Sequence, residues 1–221
     1  MTEADWFSCR HPRRVLEYLS GQASNRKLRL FGVACARRAA PLWGGDQPLA
    51  LLDAAERLAD GFAPVEDRHT FCCGAGSGMH FTYAAVTDCL AGSGAEAAVL
   101  SRAHAAASLG RAACDPFPHP TRLRVYMDAV RAESAVQAEL LRDIFASPFR
   151  PAAFDRVWGT DTVLAMARQM YDSREFSAMP ILADALQDAG CDNGDILGHC
   201  RDTTVSHVRG CWVVDLVLGK L

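Results

Sequence analysis

Apolar residues recur along the chain at spacings of three and four, which aligns them on one face of a helix. Thr2 and Asp5 form a helix-start pattern ahead of the first apolar anchors, Trp6 and Phe7. Pro12 opens a short helix with Val15, Leu16 and Leu19 on one side and Gly21 past its end. Ser24 caps a third helix, in which Leu28, Phe31 and Cys35 carry the period until Pro41 stops it. Asp46 and Pro48 open a fourth, striped by Leu51, Leu52, Ala55, Leu58 and Ala59.

Residues 63–80 break this pattern. The stretch FCCGAGSGMH carries Gly74, Gly76 and Gly78, which could let backbone N–H groups approach an anion. It lacks the Gly-Lys-Ser/Thr ending of a P-loop, and no strand precedes it as a dinucleotide fingerprint requires. Ser77 is flanked at two residues by Ala75 and Met79 rather than by the glycines of a nucleophile elbow. An interhelical loop is the better reading.

Helical character resumes at Phe81, and the alanine-rich GAEAAVLSRAHAAASLGRAACD permits close approach between helices. DPFPHP is a connector. Thr121 to Pro148 is the longest helix candidate, with Leu123, Met127, Val130, Leu140, Ile144 and Phe145 inward. Arg131, Glu133, Glu139, Arg142 and Asp143 read there as solvated charges. Thr160 or Asp161 starts a helix with Val163, Met166, Ala167 and Met170 inward, and Pro180 begins another that Gly190 ends. Asp192 with Asp195 caps a short DILGHC helix. The closing SHVRGCWVVDLVLG reads as a helix capped by Ser206 and ended by Gly219, with a strand over CWVVDLVL as the alternative.

These elements predict an all-α fold: an irregular multi-helix domain of short antiparallel helices, with a small strand element at the C-terminus as the one alternative. Residues 1–221 read as one helical domain, sub-divided into basic N-terminal helices (1–62), a Gly/Ala/Pro-rich middle (63–120) and a C-terminal helical part (121–221).

Composition adds little to this picture. Half of the 221 residues are hydrophobic and 22% charged, which excludes wholesale disorder. The net charge of -3 gives no global reason to expect nucleic acid or an anionic membrane. Residues 1–40, however, hold eight cations against three carboxylates, a net of +5 that leaves -8 on the remainder. A helical face docking against a more acidic body explains this asymmetry, and nucleic-acid binding through Arg26, Arg29 and Arg37 is the alternative. No N-terminal apolar segment resembles a signal peptide and no run reaches a membrane span, so the expected location is cytoplasmic. Nine cysteines without regular spacing read mostly as small core hydrophobes kept reduced.

Two blocks of sequence are distinctive. TEADWFSC…VLEYLSGQASNRKLRLFGVACARR and LLRDIFASPFRP…ILADALQDAGC…HVRGCWVVDLVLGK resemble an uncharacterised family of planctomycete-type bacterial proteins. The resemblance covers about half the chain and implies no activity. Related segments accompany other modules, which implies an interaction or regulatory role, and the position of Cys200 is not dependably cysteine in that family.

The chemistry concentrates near the C-terminus. Cys191, His199, His207 and Cys211 are the ligand types zinc prefers, and four of them around one ion would close a structural site. Their spacings match no standard zinc motif, and the chain holds no CxxC pair. If the last segment were one helix, His207, Cys211 and Asp215 would fall at i, i+4 and i+8 on one stripe. That is the membership of a thiol nucleophile, base and orienting acid, but in the wrong order along a rigid rod. Asp215 then reads as structural, paired with Arg209 or Arg201. His69, Cys72, Cys73 and His80 form a second, weaker concentration. With no catalytic motif in view, the leading expectation is a non-enzymatic module that interacts with a protein partner or regulates one. A zinc-stabilised domain or metal-dependent enzyme is the alternative, and nucleic-acid binding the second alternative.

Overall fold

Local sequence chemistry sets most helix boundaries. The computed structural model describes residues 1–42, 47–62, 84–85, 88–90, 93–114 and 119–220. The glycine-rich loop, Ser77 and the His69, Cys72, Cys73 and His80 group lie outside the described residues, as do Asp46, Pro116 and Pro118. Ten helices have defined bounds: α1 (Glu3–Ser8), α2 (Pro12–Leu19), α3 (Asn25–Ala39), α4 (Gln47–Ala59), α5 (Gly94–Cys114), α6 (His119–Ile144), α7 (Asp161–Ser173), α8 (Met179–Asp188), α9 (Gly194–Arg201) and α10 (Trp212–Leu218). Among the described residues there is no strand, so the all-α expectation holds and the C-terminal strand alternative does not.

Ser24 accepts from the Lys27 N–H at the start of α3, and Thr160 accepts from the Val163 N–H at the start of α7. Each satisfies an N–H that has no partner within its own helix. Two other expected caps are displaced. Asn193, not Asp192, caps α9, accepting from the N–H groups of Asp195 and Ile196. The last helix begins only at Trp212, with Cys211 rather than Ser206 at its N-cap. Gly210 takes φ +99, a left-handed conformation that turns the chain before α10 and prevents one continuous helix from Ser206.

The chain forms two compact units, Ser8–Ala138 and Met1–Phe7 with Glu139–Leu221. The division falls inside α6, a continuous helix with no loop or composition change to mark it. In the first unit α3 packs against α4 and α5, burying Leu30, Phe31, Val33 and Cys35. Gly32 makes the α3–α5 approach, because a Cβ there would lie 2.8 Å from the Ala97 carbonyl oxygen. Leu123 and Met127, expected inward, are exposed, whereas Glu133, expected solvated, is buried and held by the Arg38 guanidinium at 2.9 and 3.0 Å.

In the second unit α7, α8, α9 and α10 enclose one core. Val163, Ala167 and Met170 of α7 meet Leu182 and Leu186 of α8, Ile196 and Cys200 of α9, and Trp212, Val213, Val214 and Val217 of α10. Cys191 is buried in this core. No described helix is long and apolar enough to cross a membrane.

Candidate metal centre

Three segments of the second unit, α6, α9 and the loop before α10, deliver four polar side chains to a common point. Asp143 is the penultimate residue of α6 and is fully buried. On α9, Ile196 and Cys200 are one turn apart and face the core, which puts His199 on the flank between core and solvent. His207 belongs to the loop after α9, and Cys211 stands at the N-cap of α10. The Val208 N–H donates to Asp143 Oδ2 at 2.8 Å, and the Cys211 N–H donates to the Val208 carbonyl at 2.9 Å. These two bonds fix the loop against the carboxylate.

The donor atoms converge. His207 Nδ1 lies 2.7 Å from Asp143 Oδ1, and His199 Nε2 lies 3.2 Å from the same oxygen. His199 Nε2 is also 3.2 Å from Cys211 Sγ, which is 3.8 Å from His207 Nδ1. One atom from each of the four residues falls within 4.8 Å of the other three, a group that can hold a metal ion. Around a tetrahedral zinc ion, bonds of about 2.0–2.3 Å place donors about 3.3–3.8 Å apart. The observed separations, from 2.7 Å to at most 4.8 Å, bracket that range, so the donors would close around an ion by shifts of up to about 1 Å.

The same geometry argues against a thiol relay. A nucleophile, base and acid use opposite nitrogens of the histidine, one toward the thiol and one toward the carboxylate. Here each imidazole turns a single nitrogen toward both Asp143 and Cys211. Burial, and next the Asp143 charge, push the Cys211 thiol well above its ordinary value, although the Val213 and Val214 N–H groups pull the other way. A fully buried thiol of that kind is a poor free nucleophile, whereas a metal ion would deprotonate it directly. Burial also raises Asp143, but hydrogen bonds from His199 and His207, and then their charges, hold its carboxyl below the usual range.

Of the four expected ligands, the structure brings together His199, His207 and Cys211. Cys191 is not in the group, because its side chain packs into the apolar core, and Asp143 takes the fourth place. The expected stripe of His207, Cys211 and Asp215 is absent too, since only Asp215 lies within α10. Arg201, one suggested partner of Asp215, instead donates to Asp184 at 3.0 Å and Gln187 at 2.5 Å. Asp143 read as solvated from sequence, yet one signal set it apart. It sits in the last turn of α6, where the negative end of the helix dipole disfavours an anion, so a carboxylate there calls for a compensating partner.

A cavity of about 370 Å³ adjoins the centre. Asp143 and His199 line it together with Trp6, Arg142 and Trp212.

In the first unit, the arginines of the nucleic-acid alternative do not form an exposed cationic face. Arg26 pairs with Asp60 at 2.9 Å, and Arg37 pairs with Asp53 at 2.6 Å and Glu56 at 2.9 Å. Arg29 is buried and donates to the Cys89 carbonyl. Asp53 and Glu56 of α4 thus receive Arg37, and Asp60 just past its end receives Arg26.

Comparison of the chain with protein-family models, with curated proteins and with solved structures gives no match.

Proposed function

We propose that the protein is a metal-stabilised, non-enzymatic module whose second unit binds one zinc ion through Asp143, His199, His207 and Cys211. The single observation that supports this reading is the convergence within 4.8 Å of four donor atoms, one from α6, one from α9 and two from the loop that follows it. Zinc suits the set because it accepts thiolate, imidazole and carboxylate together in tetrahedral geometry. One carboxylate and one thiolate balance the charge of a divalent ion, which offsets the cost of burying both anions.

The ion's role is to hold the last segments of the chain. The loop between α9 and α10 has little apolar surface of its own, since Asp202, Thr203, Thr204 and Ser206 are exposed. Structural zinc contributes about 10–16 kcal/mol of apparent binding free energy in small zinc domains, against a typical folding stability of about 5–15 kcal/mol. A term of that size decides whether the loop and α10 stay docked. Four protein ligands leave no vacant position on a tetrahedral ion, which suits a regulatory or interaction module better than a hydrolase.

Competition with a chromophoric zinc chelator tests the assignment. Wild-type protein should retain one equivalent, and Asp143→Asn and Cys211→Ser should each lower affinity by at least about 100-fold, beyond what loss of an outer-shell partner costs. Cys191→Ser should bind like the wild type. Loss of binding in Cys191→Ser with full affinity in Asp143→Asn would overturn this ligand set.

A further inference from the structure

We propose that the second unit pairs with a second copy of the chain through the face formed by the turn Arg156–Trp158, the start of α7 and the end of α10. This pairing does not depend on the zinc reading, since no residue lining the face is a metal donor. The face carries a projecting apolar side chain, an apolar hollow and two opposite charges. A two-fold interface needs all of these on one surface, because the same patch must serve as both halves.

The projection is Val157. It is 75% exposed, a level that only Phe62 matches among the described large apolar side chains. The turn that carries it is held by its own bonds. The Asp155 side chain accepts from the Val157 N–H at 3.0 Å, and the Asp155 carbonyl accepts from the Trp158 N–H at 3.0 Å. The Trp158 ring stands edge-on to Phe154, with centroids 5.7 Å apart. An apolar side chain presented on such a preformed turn loses little freedom when a partner covers it.

The hollow lies beside it. A groove of about 660 Å³ runs between residues 152–159, α7 and α10, and Phe154, Leu164, Leu216 and Leu218 are half-buried along it. These side chains pack on the core of the unit with one side and leave the other open. Arg156 lines the same groove, one residue from Val157, so hollow and projection are neighbours. The groove is wider than one valine and accommodates the Arg156–Trp158 turn of a second copy.

Charge sets the register. Arg156 is exposed, and Asp161, also exposed, stands three residues before Leu164 on α7 and so on the groove's flank. Neither side chain has a hydrogen-bond or ion-pair partner among the described residues. Asp155, the other charge of the turn, already accepts the Val157 N–H. In a two-fold pairing the Arg156 of each copy meets the Asp161 of the other, so no charge is covered alone. One turn, one groove and two rim ion pairs make a small contact, of the transient kind that buries less than about 1,200 Å².

Sedimentation equilibrium of the full chain at low salt, from about 1 μM to about 1 mM, tests the pairing across the affinities of transient complexes. The average mass should climb from one chain to two and stop there. Val157→Asp should weaken association at least about 100-fold, because the loss is counted once in each copy. Arg156→Glu and Asp161→Arg should each weaken it about tenfold, and the two together should restore most of it. Circular dichroism should be the same for all of these variants, since the three side chains are exposed, which separates lost pairing from lost folding. A single-chain mass at every concentration would overturn the proposal and leave the groove to an apolar segment of another protein. Growth beyond two copies would overturn the closed two-fold arrangement. A dimer that ignores Val157→Asp, or that the charge exchange fails to restore, would place the contact on another face.

Discussion

Asp143 is the residue on which the site turns. It receives the Val208 N–H on one oxygen and faces both imidazoles with the other, so it ties the loop to the end of α6. Cys35 and Cys89 are buried in the first unit, apart from this group. Burial raises Cys35 well above its ordinary value and pushes Cys89 up to about 12, so both thiols stay protonated and unreactive in the folded chain. Cys9 is half-exposed. Iodoacetamide should therefore modify Cys9 in the folded protein while Cys35 and Cys89 react only after unfolding, as read by peptide mass spectrometry. Comparable labelling of Cys9 and Cys35 under native conditions would contradict the packing described here. His199, His207 and Cys211 were visible in the sequence because they cluster within a few residues of one another. Asp143 offered only its place near a helix end, since 56 residues separate it from His199 and only the tertiary fold closes that distance.

At the scale of elements, α3 and α5 approach closely because small residues line their contact. Gly32 against Ala97 leaves no room for a side chain, so Gly32→Val should cost about 1–3 kcal/mol, the usual range for overpacking. Thr160→Ala, which removes a cap from α7, should cost about 1 kcal/mol. Denaturant unfolding measures both, and a Gly32→Val variant as stable as wild type would contradict the close packing. The helices were legible from sequence wherever a cap and an apolar stripe agreed, as at Ser24 and Thr160. They were misread where the decisive feature was conformational. Gly210 at φ +99 separates His207 from α10, and composition alone does not reveal that a glycine inside SHVRGCWVVD breaks a helix instead of being tolerated within it. The burial of Glu133 was equally invisible, because its partner Arg38 lies 95 residues away.

At the scale of the molecule, the metal ligands and the adjoining cavity all belong to the unit formed by Met1–Phe7 and Glu139–Leu221. Metal occupancy should accordingly stabilise that unit selectively. A ligand present at a thousandfold excess over its Kd adds about 4 kcal/mol. In hydrogen-exchange mass spectrometry, chelation should therefore speed exchange across residues 199–218 and change residues 25–59 little. A uniform response, or none, would mean that the ion does not anchor the C-terminal segments. The most direct test precedes any perturbation: elemental analysis of protein purified without added metal and without chelator. The account predicts about one zinc per chain, lost in Asp143→Asn. A content well below one, with no uptake when zinc is supplied, would contradict it and leave Asp143, His199, His207 and Cys211 as a hydrogen-bonded polar core.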